Sequence, residues 1–338
     1  MNWGSERPRL VAELNALIGG QRSFDEVARS IFAFQFDANP HYRRWCENDG
    51  VRTTEVESWR DIPLIPVAAF RRWDLRCFSA ERTTRTFLTS GTTDVGRGRH
   101  HFDDLDLYER ASMAGFETAF APGSNRRIVS LIGGASETPE SSLSQMVTWV
   151  LERFGNEANT VDPTGESLRT GGPALVLGTA FGLANLLEAD PTFRFPEGTT
   201  IMETGGFKGR RRELSRADLH ELYERAGVSS ASVLGEYGMT ELSSQWYDGV
   251  SGTAPDDATN RVYLSPPWAR ARVVDPVTLN DVAIGETGLV ALVDPVNLGS
   301  VQAILTADLG ERPPEDNGFI FRGRATGAQV RGCSQRDE

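Results

Sequence analysis

Between residues 128 and 234 the chain alternates short apolar runs with amphipathic helical patterns, and nothing else in it constrains the fold as much. Ile128-Val129-Ser130-Leu131-Ile132 is a short run ended by Gly133-Gly134, which fits a strand buried in a sheet. Leu143, Met146, Val147, Val150, Leu151 and Phe154 then mark one face of a helix, and Gly155 stops it. Ala174 to Leu177 and Thr199 to Met202 predict further strands. Ser215 and Asp218 cap a helix closing at Gly227, and Ala231 to Leu234 predicts another strand. Strand and helix in alternation imply an α/β layered domain.

The flanks read differently. In the opening third, Ser23-Phe24-Asp25-Glu26 forms a capping box, and Phe24, Val27, Ala28, Ile31, Phe32 and Phe34 follow at mostly helical spacing. These aromatics are read as core. Asp61-Ile62-Pro63-Leu64-Ile65-Pro66 carries two prolines and is expected to be a loop or extended connector. In the last third, Arg270 to Asp275, Leu289 to Asp294 and Val301 to Thr306 are β-like runs without helical patterns between them, so a smaller β-rich subdomain is expected. No internal repeat or low-complexity linker marks a boundary. The expected organisation is an α/β core with a helical N-terminal region over residues 1–265, a β-rich subdomain of the same unit over 266–325, and a flexible tail over 326–338.

Charge and residue usage exclude several functions. With 35 basic residues against 47 acidic ones the net charge is −12, a surface that repels nucleic acid and anionic membrane. An anionic substrate such as ATP must therefore be met by local Arg, backbone N–H groups and a divalent cation. No apolar stretch approaches the roughly 20 residues of a membrane span, and Met1 to Pro8 lacks the pattern of a signal peptide. A cytoplasmic location is the expectation. Cys46, Cys77 and Cys333 make no CxxC pair and imply reduced thiols. His100 and His101 are adjacent, and no histidine has zinc-ligand spacing. Of the 35 basic residues only Lys208 is lysine, and no GK dipeptide exists, which excludes a phosphate-loop lysine motif. A bias toward Arg explains the count; a lone Lys also suits a role that Arg cannot fill.

Four short segments carry candidate chemistry. Thr89-Ser90-Gly91-Thr92-Thr93, followed by Asp94-Val95-Gly96-Arg97-Gly98-Arg99, can close backbone and hydroxyl donors on phosphate oxygens, with Arg97 and Arg99 adding charge. Its plain reading is a turn. Leu234-Gly235-Glu236-Tyr237-Gly238-Met239-Thr240-Glu241 follows a predicted strand, which places it at a carboxyl end. There Tyr can stack on a purine, Thr can bond a phosphate and Glu can hold Mg²⁺; the plain reading is an N-cap and first helical turn. Leu305-Thr306-Ala307-Asp308-Leu309-Gly310 offers a carboxylate after a strand for ribose hydroxyls. Gly323-Arg324 and Gln329-Val330-Arg331-Gly332 complete the set.

In this order, the four segments resemble those of the adenylate-forming superfamily of acyl-CoA synthetases, luciferases and adenylation domains. Glu203-Thr204-Gly205-Gly206-Phe207-Lys208-Gly209-Arg210 and Glu236 to Gln245 are most similar to acyl-protein synthetases of the bacterial fatty-acid reductase (LuxE) type, as are Ser141-Ser142-Leu143-Ser144 and Leu177-Gly178-Thr179-Ala180-Phe181. The resemblance covers residues 20 to 334. It implies a layered α/β adenylate-forming large domain with the β-rich subdomain behind it, and ATP and Mg²⁺ as cofactors. Ser90, Gly91, Thr92 and Thr93 would cradle the ATP phosphates, with Arg97 where the superfamily usually has Lys. Gly205 and Gly206 would pass close to adenine, flanked by Tyr237 and followed by Gly238. Thr240 would contact the α-phosphate, Glu241 would bind Mg²⁺, Asp308 would hold the ribose, and Arg324 would approach the ribose or phosphates.

Two departures matter. Asp94 stands where Gly usually follows the TSGTT string. The chain also ends soon after the GR box, where most of the superfamily continues into a mobile lid domain with a catalytic Lys. Lys208 is the candidate replacement for that charge; the alternative is an exposed basic loop with Arg210, Arg211 and Arg212. Cys333 lies where acyl-protein synthetases carry their acyl group, with Arg331 and Arg336 favouring thiolate. Nine residues separate it from Arg324, an extended reach of roughly 30 Å.

The expected activity is that of an acid–thiol ligase. A carboxylic acid, a fatty acid on this resemblance, would be activated as acyl-adenylate with release of pyrophosphate, passed to Cys333, and handed to an acceptor protein such as an acyl reductase or carrier. Phe181, Phe207 and Trp246 could floor an aliphatic tunnel or sandwich a ring. That leaves open a ligase for aryl or small acids that serves a carrier or CoA without Cys333. A nucleotide-binding scaffold without turnover is the alternative outside enzymes.

Overall fold

A computed structural model describes residues 3–90, 96–120, 127–205 and 214–325. In chain order its helices are α1 (Trp3–Ile18), α2 (Phe24–Ala38), α3 (Pro40–Asn48), α4 (Ala69–Arg72), α5 (Asp106–Phe120), α6 (Ser142–Phe154), α7 (Ala180–Ala189) and α8 (Arg216–Arg225). The strands are β1 (Ile65–Pro66), β2 (Arg85–Leu88), β3 (Arg99–Phe102), β4 (Ile128–Ser130), β5 (Thr160–Val161), β6 (Leu175–Thr179), β7 (Thr200–Thr204), β8 (Val233–Tyr237), β9 (Trp246–Tyr247), β10 (Val262–Leu264), β11 (Arg270–Val274), β12 (Thr287–Val293), β13 (Ala303–Glu311) and β14 (Gly318–Arg324). The chain folds as two units. The first comprises Met1–Ala111, Met239–Ser244 and Leu264–Glu338, and the second comprises Ser112–Gly238 and Gln245–Tyr263.

In the first unit, α2 buries Val27, Ala28, Ile31, Phe32 and Phe34, the face its apolar spacing predicts. The capping box is not made. Ser23 holds the N-cap position without a side-chain cap bond, and the Glu26 carboxylate lies 3.8 Å from Arg22. The aromatics pack as core: Trp3 lies 5.7 Å from Phe34 and 5.2 Å from Phe78 between ring centres. The two-proline connector is tied down by Tyr42, whose hydroxyl donates to the Pro63 carbonyl at 2.7 Å, and by Trp45, whose indole N–H donates to Leu64 at 3.1 Å. It ends in β1, which pairs parallel with β13 through Ile65↔Ile304. A strand of two residues tolerates Pro66, since only a short edge must do without its N–H. Strands β11 to β14 form an antiparallel meander, with a bulge at Arg322 of β14, between the pairs Leu309↔Gly323 and Gly310↔Phe321.

In the second unit, β5, β4, β6, β7 and β8 lie side by side and parallel, and β9 joins β8 antiparallel. This is the layer predicted by the apolar runs. Val129, Val176, Ile201 and Val233 pack against Leu183, Leu187, Leu219 and Tyr223 from α7 and α8, each large apolar side chain contributing about 1.5–3 kcal/mol on burial. Helix α8 starts with the predicted reciprocal cap between Ser215 and Asp218, and α6 ends at Gly155. Among the described residues no helix is long and apolar enough to cross a membrane.

Under β8 lies a buried ionic cluster. Asp248 accepts from the Gly235 N–H at 2.7 Å and forms a short contact with Arg216. Arg261, fully buried, sits 3.8 Å from Asp248 and donates to the Val233 and Ser230 carbonyls at 2.6 and 2.8 Å. Gly235 has no room for a side chain. A Cβ there would lie 2.5 Å from the Tyr263 hydroxyl, 2.7 Å from the Arg216 guanidinium and 2.9 Å from Asp248. Gly235→Ala should therefore destabilise the protein by about 1–3 kcal/mol, the usual penalty of overpacking. Urea unfolding measures this; a change within about 0.5 kcal/mol, the range of an innocuous surface substitution, would contradict the packing described.

Candidate functional site

The carboxyl ends of β6, β7 and β8 come together in the second unit, with Thr179 opposite Thr204 and Thr204 opposite Glu236. Ligands of parallel α/β sheets bind beyond such ends. Five predicted positions sit there. Phe181, half-buried, lies in the first turn of α7, where the Thr179 hydroxyl accepts from the Gly182 N–H at 3.0 Å. Gly205 follows β7 with φ of +66°, a conformation glycine adopts without cost. Tyr237 ends β8, half-buried and edge-on to Tyr263 at 6.0 Å. Gly238 is exposed, and a Cβ on it would run into the Glu236 carboxylate. Trp246 is fully buried opposite Tyr237 in the β8–β9 pair.

Two carboxylates lie beneath these ends. Glu236 takes a short hydrogen bond from the Thr204 hydroxyl, and Glu203 accepts from the Tyr223 hydroxyl at 3.0 Å. Burial pushes the Glu203 carboxyl above its ordinary range. Gly206, Phe207 and Lys208 lie outside the described residues.

The first unit carries the remaining positions. Strands β2 and β3 pair antiparallel with Leu88 opposite Arg99, so the TSGTT string begins a hairpin loop. Its base is closed by the Thr89 N–H donating to the Gly98 carbonyl at 3.0 Å and the Gly98 N–H donating to the Thr89 hydroxyl at 2.8 Å. Arg97 donates from Nε to the Thr89 carbonyl at 2.6 Å and from Nη2 to Leu88 at 3.2 Å. It thus braces the loop that it was expected to supplement with charge. Ser90 is exposed at the loop entrance; Gly91, Thr92 and Thr93 lie outside the described residues, with Asp94.

Thr240 and Glu241 lie in a turn, with the Leu242 N–H donating to Met239 at 3.1 Å. No helix starts here, so the N-cap reading of this segment does not hold. The Thr240 carbonyl accepts from His100 Nδ1 at 2.8 Å. Glu241 is buried, and a Cβ on Gly98 would lie 3.6 Å from its Oε1 and 2.9 Å from Thr89. The base of the TSGTT hairpin and the Thr-Glu pair, about 140 residues apart in sequence, thus meet. Asp308, buried on β13, faces Arg324 of β14 in register, and Arg324 Nε reaches its carboxylate at 3.2 Å.

No family model matches the chain. It is 23% identical over 310 residues to the long-chain-fatty-acid–luciferin-component ligase of Aliivibrio fischeri, covering 85% of this chain and 78% of that protein. The protein of the same name from Vibrio harveyi is 21% identical over 339 residues, with 91% and 85% covered. Among solved structures, 2-hydroxyisobutyryl-CoA ligase in complex with 2-HIB-AMP superposes with a TM-score of 0.63 at 16% identity, over 89% of this chain and 67% of that one. ATP-bound MatB from Rhodopseudomonas palustris gives 0.53 at 18% identity, over 73% and 49%. The chain is a homologue of luciferin-component ligases with an adenylate-forming ligase fold.

Among the described residues no three His, Cys, Asp or Glu side chains converge on a metal. One buried carboxylate, Glu241, lies beside the side-chain-free Gly98, and Mg²⁺ commonly combines one or two carboxylates with phosphate oxygens.

The two described cysteines are inert. Cys46 and Cys77 are buried; burial pushes the Cys46 thiol up to about 12 and raises the Cys77 thiol as well. Cys333 lies outside the described residues.

His100 is a site-forming residue that the motifs did not reveal, since its relevance rests on a contact across the chain. Its spacing argued only against zinc. A carbonyl can only accept, so Nδ1 carries the proton. Burial lowers the imidazole pKa to about 4. The unfolded chain protonates this histidine near pH 6.5 while the folded chain does not, so its contribution is present above pH 6.5 and is lost as pH falls toward 4. That loss is about 2 kcal/mol between pH 7.5 and 5.0. His100→Asn, which keeps an N–H donor but does not titrate, should show a correspondingly smaller drop in melting temperature over that interval. Equal drops in the two proteins would contradict the buried, neutral imidazole.

Proposed function

We propose that this protein activates a carboxylic acid, a fatty acid in the first instance, with MgATP and carries the product as a thioester. The observation that carries the reading is the meeting of the TSGTT hairpin base with Thr240 and Glu241, two segments whose residue types suit phosphate and magnesium. The names of its homologues and the ligands in related folds support it.

In this reading a carboxylate oxygen attacks the α-phosphorus, the bond to pyrophosphate breaks, and an acyl-adenylate remains. Ser90, Gly91, Thr92 and Thr93 hold the phosphates, and Arg97 stiffens their loop. Tyr237 flanks adenine, with Gly205 and Gly206 leaving space for its ring and Gly238 keeping the turn open. Asp308 holds the ribose hydroxyls, and Arg324 approaches the ribose or phosphates, leaving its partner when nucleotide binds. The Thr240 hydroxyl bonds the α-phosphate. Glu241 would hold Mg²⁺, which would supply positive charge against the phosphates, and Lys208 supplies the remaining positive charge. The gain comes from positioning and charge stabilisation. Cys333 thiolate then attacks the acyl carbon, AMP leaves with its oxygen, and the thioester passes to an acceptor protein such as an acyl reductase. Phe181, Phe207 and Trp246 line the acyl side. The buried Glu236–Thr204 pair at the same strand ends favours a small or aryl acid as the second reading.

Intact-mass spectrometry after incubation with MgATP and a mixture of fatty and aromatic acids tests this. Wild type should gain an ATP-dependent increment, removable by hydroxylamine and absent from Cys333→Ala, and its size identifies the acid. Pyrophosphate release without any increment would overturn the role of Cys333 and leave the small-acid ligase. Neither signal with any acid would leave a nucleotide-binding scaffold.

A further inference from the structure

The Thr240–Ser244 stretch belongs to neither helix nor strand, so side chains must satisfy its buried polar groups. His100 Nδ1–H donates to the Thr240 carbonyl at 2.8 Å. Asn297 Nδ2–H donates to the Glu241 carbonyl at 2.7 Å, while Asn297 Oδ1 accepts from the Ser243 hydroxyl, also at 2.7 Å. Asp294 accepts from the Ser243 N–H at 2.9 Å and from the Ser244 hydroxyl at 2.8 Å. Asp294 and Asn297 lie on the connection between β12 and β13, and both are buried.

That connection is itself braced. Gln35 of α2, wholly buried, donates to the Asn297 carbonyl at 2.9 Å and accepts from the Gln302 N–H at 3.0 Å. Gln302 in turn donates to the Ala28 carbonyl at 2.9 Å. A polar ladder therefore runs from the second helix to the peptide planes that carry Thr240 and Glu241.

We propose that His100, Asn297 and Asp294 are positioning residues for acid activation, gripping the Thr240 and Glu241 carbonyls and the Ser243 N–H so that the Thr240 hydroxyl and Glu241 carboxylate stay aimed at the reacting phosphate. The inference rests on the reading above. Holding the two peptide planes on either side of the Glu241 Cα from two different elements fixes where its Cβ points and restricts that of Thr240, and a misplacement of about 1 Å in such a group costs about 100-fold in rate. An apolar core would fill this space without burying a carboxylate. Burial raises the Asp294 pKa to about 6 against the hydrogen bonds it accepts, a cost that a merely space-filling residue does not carry.

ATP–pyrophosphate exchange on the full chain, with the acid identified by mass, tests the proposal through a conservative rescue. His100→Leu should lower kcat about 10- to 100-fold with the KM for ATP changed less than about threefold. His100→Asn, whose Nδ2–H falls at the position of Nδ1–H, should recover kcat to within about fivefold of wild type. Asn297→Asp keeps an acceptor for Ser243 but replaces the donor to the Glu241 and Val301 carbonyls with a charged acceptor, and should lower kcat at least as much as His100→Leu; it replaces that variant if His100→Leu does not fold. A wild type that exchanges, with both variants within about twofold of its kcat or with Asn no better than Leu at position 100, overturns the positioning proposal and leaves the function reading standing. A wild type without exchange for any acid overturns both.

Discussion

The candidate site depends on a constraint of the backbone. Its most informative residues, Thr240 and Glu241, sit on a stretch that has no ladder of its own, and buried N–H and C=O groups cannot be left without partners. Here β3 and the β12–β13 connection supply those partners as side chains, His100, Asn297 and Asp294. Regular structure would have fixed the segment more cheaply but would have turned its side chains according to helix or strand geometry. An irregular segment held from outside leaves the Glu241 carboxylate beside the base of the TSGTT hairpin.

The second unit solves a related problem with a parallel sheet. The ends of β6, β7 and β8 are in register, so residues that follow each strand are delivered to one edge without further design. The cluster of Arg216, Asp248 and Arg261 lies against β8, and Gly235 leaves room for it. Buried ion pairs of this kind bring little net stability, because desolvation offsets the Coulomb gain. Here Asp248 also accepts the Gly235 N–H and Arg261 bonds the Val233 carbonyl, so the cluster fixes the path of the strand that ends at Tyr237.

Local pattern made most of this legible. The apolar run at Ile128, the helix ended by Gly155 and the Ser215–Asp218 cap are set by residues a few positions apart, and the structure forms each of them. Ser23 and Glu26 had the same local signature, yet Ser23 makes no side-chain cap bond and Glu26 lies near Arg22 instead. Contacts at long range were not legible. Nothing near Pro66 announces β13 as its partner, nor does anything near His100 announce Thr240. The grouping of Met239–Ser244 with the first unit belongs to the same kind. The motif residues could be found because their types carry chemistry; the residues that hold them in place carry no such mark.

The central claim is that a carboxylate attacks the α-phosphorus of ATP. Incubation with an acid labelled with ¹⁸O in its carboxylate, followed by mass analysis of the nucleotide after acyl transfer to a thiol, follows the oxygen directly. The account predicts AMP carrying one ¹⁸O, with pyrophosphate unlabelled. Label in inorganic phosphate alongside ADP would mean attack at the terminal phosphorus, and would contradict it.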